Sequence, residues 1–213
     1  MIKKSEFLMT LADVSQLPGL FRGAFLKGHR EPRLMMVGRS NVGKSSLINA
    51  LLGTNLAQIS NQPGKTRAIH FYWWKQMGKI VADLPGYGYA RTGKLERNHW
   101  EKLISSYLKT DENLERAVVL LDARVGPTVI DQKAIEFLNL ENIPVTFVFT
   151  KVDTLKNQSE RVRRLKEVRI KFKELGIHFE SVFWVSTRTR LGLTSLAQQL
   201  GVSITGLEGS KGA

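Results

Sequence analysis

One run of residues constrains this chain more than any other. Gly38-Arg39-Ser40-Asn41-Val42-Gly43-Lys44-Ser45 follows the spacing G-x-x-x-x-G-K-[ST], between an apolar run, Leu34-Met35-Met36-Val37, and a helix-like stretch from Ser45 to Leu52 closed by Gly53. The two glycines let successive backbone N–H groups turn inward around phosphate oxygens, and the start of the helix adds the positive end of its dipole. In such a cradle Lys44 is placed to reach the β- and γ-phosphates, and the Ser45 hydroxyl to complete a Mg²⁺ shell. A glycine-containing surface turn is the plainer alternative, but it leaves the flanking strand and helix unexplained.

The remaining chain alternates short apolar runs with longer stretches of helical period. Ala68 to Lys75, Lys79 to Ala82, Ala117 to Leu121, Val145 to Phe149 and Val182 to Val185 read as strands, rich in β-branched and aromatic residues. Leu95 to Leu108, Asp131 to Leu140 and Ser159 to Leu175 read as helices. Asp131 is the expected N-cap of the second, and Val162, Leu165, Val168, Phe172 and Leu175 the apolar face of the third. Alternation of this kind predicts an α/β fold with a mostly parallel sheet covered on both faces. The 213 residues contain no cysteine, which excludes disulfides, thiolate zinc sites and a cysteine nucleophile. No stretch approaches the ~20 apolar residues of a membrane span. Lys3 and Lys4 stand near the N-terminus, but Glu6 and Asp13 interrupt the segment behind them, against a secretory signal. The expectation is a soluble cytoplasmic protein without a membrane partner.

Further motifs stand at strand ends, where open α/β sheets bind ligands. Asp83-Leu84-Pro85-Gly86 follows one strand: Asp83 can hold a Mg²⁺ water, and the Gly86 amide can meet a γ-phosphate. Thr66, within Pro63-Gly64-Lys65-Thr66-Arg67 and ahead of Ala68, can offer its hydroxyl and carbonyl to Mg²⁺ and the γ-phosphate. Thr150-Lys151-Val152-Asp153 closes another strand. A carboxylate there can accept from guanine N1–H and the 2-amino group, which adenine lacks, so discrimination can be large. The Lys151 stem can lie on the base, and Val185-Ser186-Thr187 can offer a backbone amide to guanine O6. Gly86-Tyr87-Gly88-Tyr89-Ala90-Arg91 begins like a dinucleotide fingerprint but lacks its third glycine, and reads instead as a switch segment.

The set GRSNVGKSSLINALLG, PGKTR, DLPGYGYA, TKVD and VST, with the opening KSEFLMTLADVSQLP, resembles the EngB (YihA/YsxC) family of bacterial translation-factor-type GTPases over nearly the whole chain. The resemblance implies a Ras-like P-loop GTPase domain with a mixed six-stranded sheet. It also implies GTP and GDP as ligands with Mg²⁺; separately, the protein is expected to be a monomer. The nucleotide residues would be Gly38 to Ser46, Gly64 to Ala68, Asp83, Leu84, Pro85, Gly86, Thr150 to Asp153, and Val185 to Thr187. Ser45, Thr66 and Asp83 (through water) would serve the metal, and Lys44, Thr66, Gly86 and Asn41 the hydrolysis. Residues 1–32 would form an N-terminal extension packing on the G domain (33–202), ahead of a disordered tail (203–213). The family's role implies late assembly of the large (50S) ribosomal subunit and normal septation.

Two positions depart from the common GTPase pattern. Thr150 stands where asparagine is usual, and Tyr87 where many GTPases carry a water-placing glutamine, so slow intrinsic turnover is expected. Asn41 admits two readings, as a support for K⁺ in hydrolysis or as a turn residue only.

Lys+Arg exceed Asp+Glu by 32 to 19, a net +13, which suggests a polyanion as partner and ribosomal RNA above others. Basic residues concentrate on the third helix: Arg161, Arg163, Arg164, Lys166, Arg169, Lys171 and Lys173. A merely solvated face is the rival meaning of that run. For the whole protein the rival is a GTP-dependent interaction module in cell division with no direct ribosome contact. Phe71-Tyr72-Trp73-Trp74 is expected to pack in a strand rather than stack on bases, and the four histidines show no metal-ligand spacing.

Overall fold

A strand buried on both faces must be apolar at every position, and Leu34 to Val37 meets that demand. Met35 and Val37 enter one core and Leu34 and Met36 another, so this strand is sandwiched between two helical layers. The computed structural model describes residues 5–16, 31–57, 68–87, 94–155, 157–177 and 182–201. Within them lie strands β1 (Glu6–Leu11), β2 (Arg33–Gly38), β3 (Ile69–Trp74), β4 (Lys79–Asp83), β5 (Leu114–Asp122), β6 (Val145–Thr150) and β7 (Val182–Trp184). The helices are α1 (Lys44–Leu52), α2 (Lys94–Thr110), α3 (Val129–Leu140), α4 (Gln158–Glu174) and α5 (Leu193–Gly201).

The sheet order is β1-β3-β4-β2-β5-β6-β7. Strands β4, β2, β5, β6 and β7 run parallel, while β3 is antiparallel to both β4 and β1. One core gathers α2 (Leu103, Ile104, Tyr107), α3 (Ile135, Leu138) and α4 (Val168, Phe172), and the other α1 (Leu47, Ile48, Leu51) and α5 (Leu196, Leu200). Phe71, Tyr72 and Trp74 are buried between these layers, as strand packing requires.

The sheet has seven strands, one more than expected. Phe7, Met9 and Leu11 have a period of two, but Glu6 and Thr10 dilute the apolar signal of the segment. Residues Glu6 to Leu11 pair with Trp73 to Ile69, with a bulge between Phe7 and Met9. Leu11 is fully buried, and the Thr10 hydroxyl meets His70 Nδ1 at 2.8 Å. Tertiary pairing turns a weak strand former into an edge strand.

Two helical expectations also change. Thr128, not Asp131, caps α3; Asp131 sits three residues inside, and its carboxylate answers the Thr128 N–H in a capping box. On α4 the buried stripe is narrower than the periodicity suggests. Val168 and Phe172 are buried, Leu165 and Leu175 only partly so, and Val162 is 47% exposed. Phe172 lies 4.4 Å, centroid to centroid, from Phe147 and docks the helix on the sheet. Phe172→Ala is therefore expected to lower the urea-unfolding free energy by about 3–5 kcal/mol. Ile170→Ala, on the 62% exposed side chain of the same helix, should change it by less than about 0.5 kcal/mol.

Candidate functional site

The motif residues converge because parallel strands end together. Asp83 lies opposite Met36, and Asp122 opposite Thr150, so β4, β2, β5 and β6 deliver their last residues to one edge. From β2 the chain enters the phosphate loop, where Asn41 has φ 64° and Gly43 φ 101°, a value that strains any L side chain. The helix α1 starts at Lys44, whose ammonium pairs with Asp83 Oδ1; both side chains are buried. Ser45 and Ser46 stay partly exposed in the first turn.

The segment after Asp83 is laid along this loop. Leu84 N–H donates to Met36 O (3.2 Å), Tyr87 N–H to Gly38 O (3.3 Å), and Ser40 N–H to Tyr87 O (3.1 Å). Gly86 is packed so closely that a Cβ there would lie 3.0 Å from Ser40 N and Oγ, a tight contact to which Ser40 would have to yield slightly. The Tyr87 ring is buried, and its hydroxyl donates to Asp131 Oδ1 at 2.9 Å. Burial first, and the Asp131 charge second, push that hydroxyl's pKa well above its ordinary value. Oδ2 of Asp131 accepts from the Thr128 N–H (2.8 Å) and hydroxyl (2.6 Å), with Arg39 Nε at 3.3 Å.

On the other side of the loop, the Thr150 hydroxyl donates to Val42 O at 2.6 Å, with Leu121 O at 3.2 Å. A hydroxyl thus makes the tie to the phosphate loop from the position where an amide is usual. Lys151, at φ 59°, donates from Nζ to Asn41 O (2.6 Å) and Asp122 Oδ2 (3.0 Å). Arg124 adds a two-pronged bond to Asp122, Nε to Oδ1 at 2.9 Å and Nη2 to Oδ2 at 2.6 Å. Burial alone would raise the Asp122 pKa, but bonds from Arg124 and Lys151 outweigh it and hold it at about 2. Its stabilising share is complete above the ordinary carboxylate range near pH 4 and is lost as pH falls through about 2.

Asp153 stands in the short 3₁₀ turn Val152–Thr154, just past the end of β6. Its side chain is 14% exposed, with Arg188 Nη1 at 4.0 Å. Two of the three amides of Val185-Ser186-Thr187 are already engaged: Val185 N–H with Phe149 O (2.8 Å) and Ser186 N–H with Leu191 O (3.1 Å). That leaves Thr187 as the candidate donor. Gly64, Lys65, Thr66 and Arg67 lie outside the described residues, and Ala68 opens the next described stretch, partly buried.

Sequence reasoning missed Asp122, Arg124 and the Tyr87–Asp131–Arg39 contact. Asp122 had a visible signal, a carboxylate at the end of an apolar strand, as at Asp83. Tyr87 and Asp131 are 44 residues apart, and no local pattern joins them.

A phosphate loop after β2, D-x-x-G after β4 and T-K-x-D after β6, on a mixed sheet between helical layers, define a Ras-like P-loop GTPase. A family model described as "50S ribosome-binding GTPase" matches residues 33–151. The "Probable GTP-binding protein EngB" of Thermotoga maritima is 40% identical over 186 residues, 87% of this chain and 91% of its own length. Its namesake from Caldanaerobacter subterraneus is 39% identical over 196 residues, 92% and 94% of the two chains. Among solved structures, one of "a probable GTP-binding protein engB" superposes with TM-score 0.62 at 24% identity, covering 79% of this chain and 96% of that one. Era in complex with MgGDPNP and 16S ribosomal RNA nucleotides 1506–1542 shares the fold, with TM-score 0.63 at 23% identity, covering 80% of this chain and 55% of that one. The chain belongs to the EngB family of GTP-binding proteins and is a GTPase.

The Thr150 tie can be tested without changing the side chain's shape. Thr150→Val removes the donor to Val42 O and is expected to weaken GDP binding roughly tenfold, read by titration with a fluorescent GDP. Unchanged affinity would mean that the loop holds its form without that bond.

Proposed function

We propose that this protein is a guanine-nucleotide switch whose triphosphate form docks on the large ribosomal subunit during late 50S assembly, with normal septation depending on that role. The observation that carries the ribosomal part is charge. The net +13 far exceeds what a nucleotide needs, since Mg²⁺-bound GTP brings only about two net negative charges. Arg163, Lys166, Arg169 and Lys173 are exposed along α4, interleaved with exposed Val162 and Ile170. That face suits phosphate backbone, while Arg164 is directed inward, donating to Arg124 O at 2.6 Å and pairing with Glu167. Residues 33–202 form the G domain in this reading and residues 1–32 its extension, while the tail 203–213 lies outside the described residues; the protein works as a cytoplasmic monomer. Among the described residues no helix is long and apolar enough to cross a membrane.

Within the site, Gly38 to Ser46 cradle the phosphates, Lys44 bridges the β- and γ-phosphates, and the Gly86 amide meets only the γ-phosphate. Asp153 accepts from the guanine edge, and Lys151 lies on the base. The Ser45 hydroxyl and the Asp83 carboxylate are the oxygen donors a hard cation takes, and fit Mg²⁺ alongside phosphate oxygens, Asp83 through water and Thr66 as a further ligand. Mg²⁺, when bound, neutralises charge on the phosphates. Tyr87, held in the core by Asp131, is turned away from the task of placing a water, which supports slow turnover.

The triphosphate form should pellet with large subunits several-fold more than the GDP form, with binding falling steeply between about 50 and 200 mM salt. Pelleting indifferent to both nucleotide and salt would overturn the reading. Asn41 occupies a left-handed turn position, and the proposal that it also supports K⁺ has its own measurement. Hydrolysis in K⁺ buffer should exceed that in Na⁺ buffer, and equal rates would leave Asn41 a turn residue alone.

A further inference from the structure

Asp131 is fully buried, and a carboxylate in that position is costly unless every oxygen is answered. Capping α3 uses only Oδ2, through the Thr128 N–H and hydroxyl. Oδ1 is turned instead to the Tyr87 hydroxyl, and Arg39 Nε lies 3.3 Å from Oδ2. One carboxylate therefore touches the phosphate loop, the segment after D-x-x-G and the start of α3. The first two are also joined directly, by Tyr87 N–H to Gly38 O, Ser40 N–H to Tyr87 O and the bridge between Arg39 and Tyr87. Gly86 is the residue between Asp83-Leu84-Pro85 and this knot, packed on Ser40.

We propose that Asp131 is a positioning residue for the triphosphate state: by holding Tyr87 and Arg39 together it sets where the Gly86 amide stands over the phosphate loop, and so the preference for GTP over GDP. The inference rests on the reading that Gly86 meets the γ-phosphate. It predicts a selective effect, because GDP offers Gly86 nothing to meet. A carboxylate that merely caps a helix would change stability and leave the two nucleotides equally affected.

The test compares affinities for GDP and a non-hydrolysable GTP analogue across four variants of the full chain. Tyr87→Phe keeps the ring and loses the hydroxyl; Asp131→Asn keeps the shape and loses the charge. Both are expected to weaken the GTP analogue roughly tenfold while GDP stays within about twofold. Thr128→Ala removes only the cap's hydroxyl, and should lower the thermal midpoint with the affinity ratio unchanged. Gly86→Ala tests the underlying reading and should lose the analogue selectively. If Gly86→Ala does so while Tyr87→Phe affects both nucleotides equally, neither, or favours the analogue, the role given to Asp131 is overturned and the Gly86 reading survives. If Gly86→Ala fails to separate the nucleotides, the reading and the proposal fall together.

Discussion

A loop that turns its N–H groups inward around phosphates turns its carbonyls outward, and outward carbonyls need donors. In this protein the donors come from the ends of β4 and β6 and the residues just past them. Thr150 answers Val42 O, Lys151 answers Asn41 O, and the Tyr87 N–H answers Gly38 O. The loop's shape is thus a property of the whole C-terminal edge of the sheet rather than of eight residues alone. The same bonds set the T-K-x-D segment beside the phosphate loop, as the proposed base and phosphate recognition requires. Thr150 and Lys151 cannot reach the loop without bringing Asp153 to the same edge.

Charge is organised around this edge in layers. Lys44 and Asp83 pair beneath the loop, Asp122 draws Lys151 and Arg124 together beside it, and Asp131 draws Tyr87 and Arg39 on the other flank. Each buried carboxylate gathers donors from different elements, which offsets its desolvation. A surplus of basic over acidic residues lies farther out, on the exposed side of α4. That helix is not isolated from the site, because Arg164 reaches the backbone of Arg124, whose side chain holds Asp122.

The phosphate loop, D-x-x-G and T-K-x-D were legible because each is a contiguous string at a strand end, where local pattern and tertiary role coincide. The parallel core was legible from continuous apolar runs such as Ala117 to Leu121. What escaped was set by contacts distant in sequence. The strand β1 exists only because β3 lies beside it, and its Glu6 and Thr10 mask the alternation of Phe7, Met9 and Leu11. Asp131 looked like a cap because carboxylates so often are. Its true position became visible only with Thr128 ahead of it and Tyr87 across from it. The α4 stripe looked wider than it is because periodicity marks Val162 as inward while none of the described elements covers it.

The first strand has a consequence beyond adding one more ladder. Without it, the aromatic row Ile69–Trp74 would be a bare sheet margin, with unpaired amides beside Phe71, Tyr72 and Trp74, a ready template for self-association. As built, the outermost ribbon carries a bulge at Phe7–Met9 and a Glu6–Lys75 ion pair, both of which discourage a second copy from zipping on. The opposite margin, β7, is only three residues long. Both rims of the sheet are therefore poor seeds for edge-to-edge self-association, even in a chain with so much apolar strand surface.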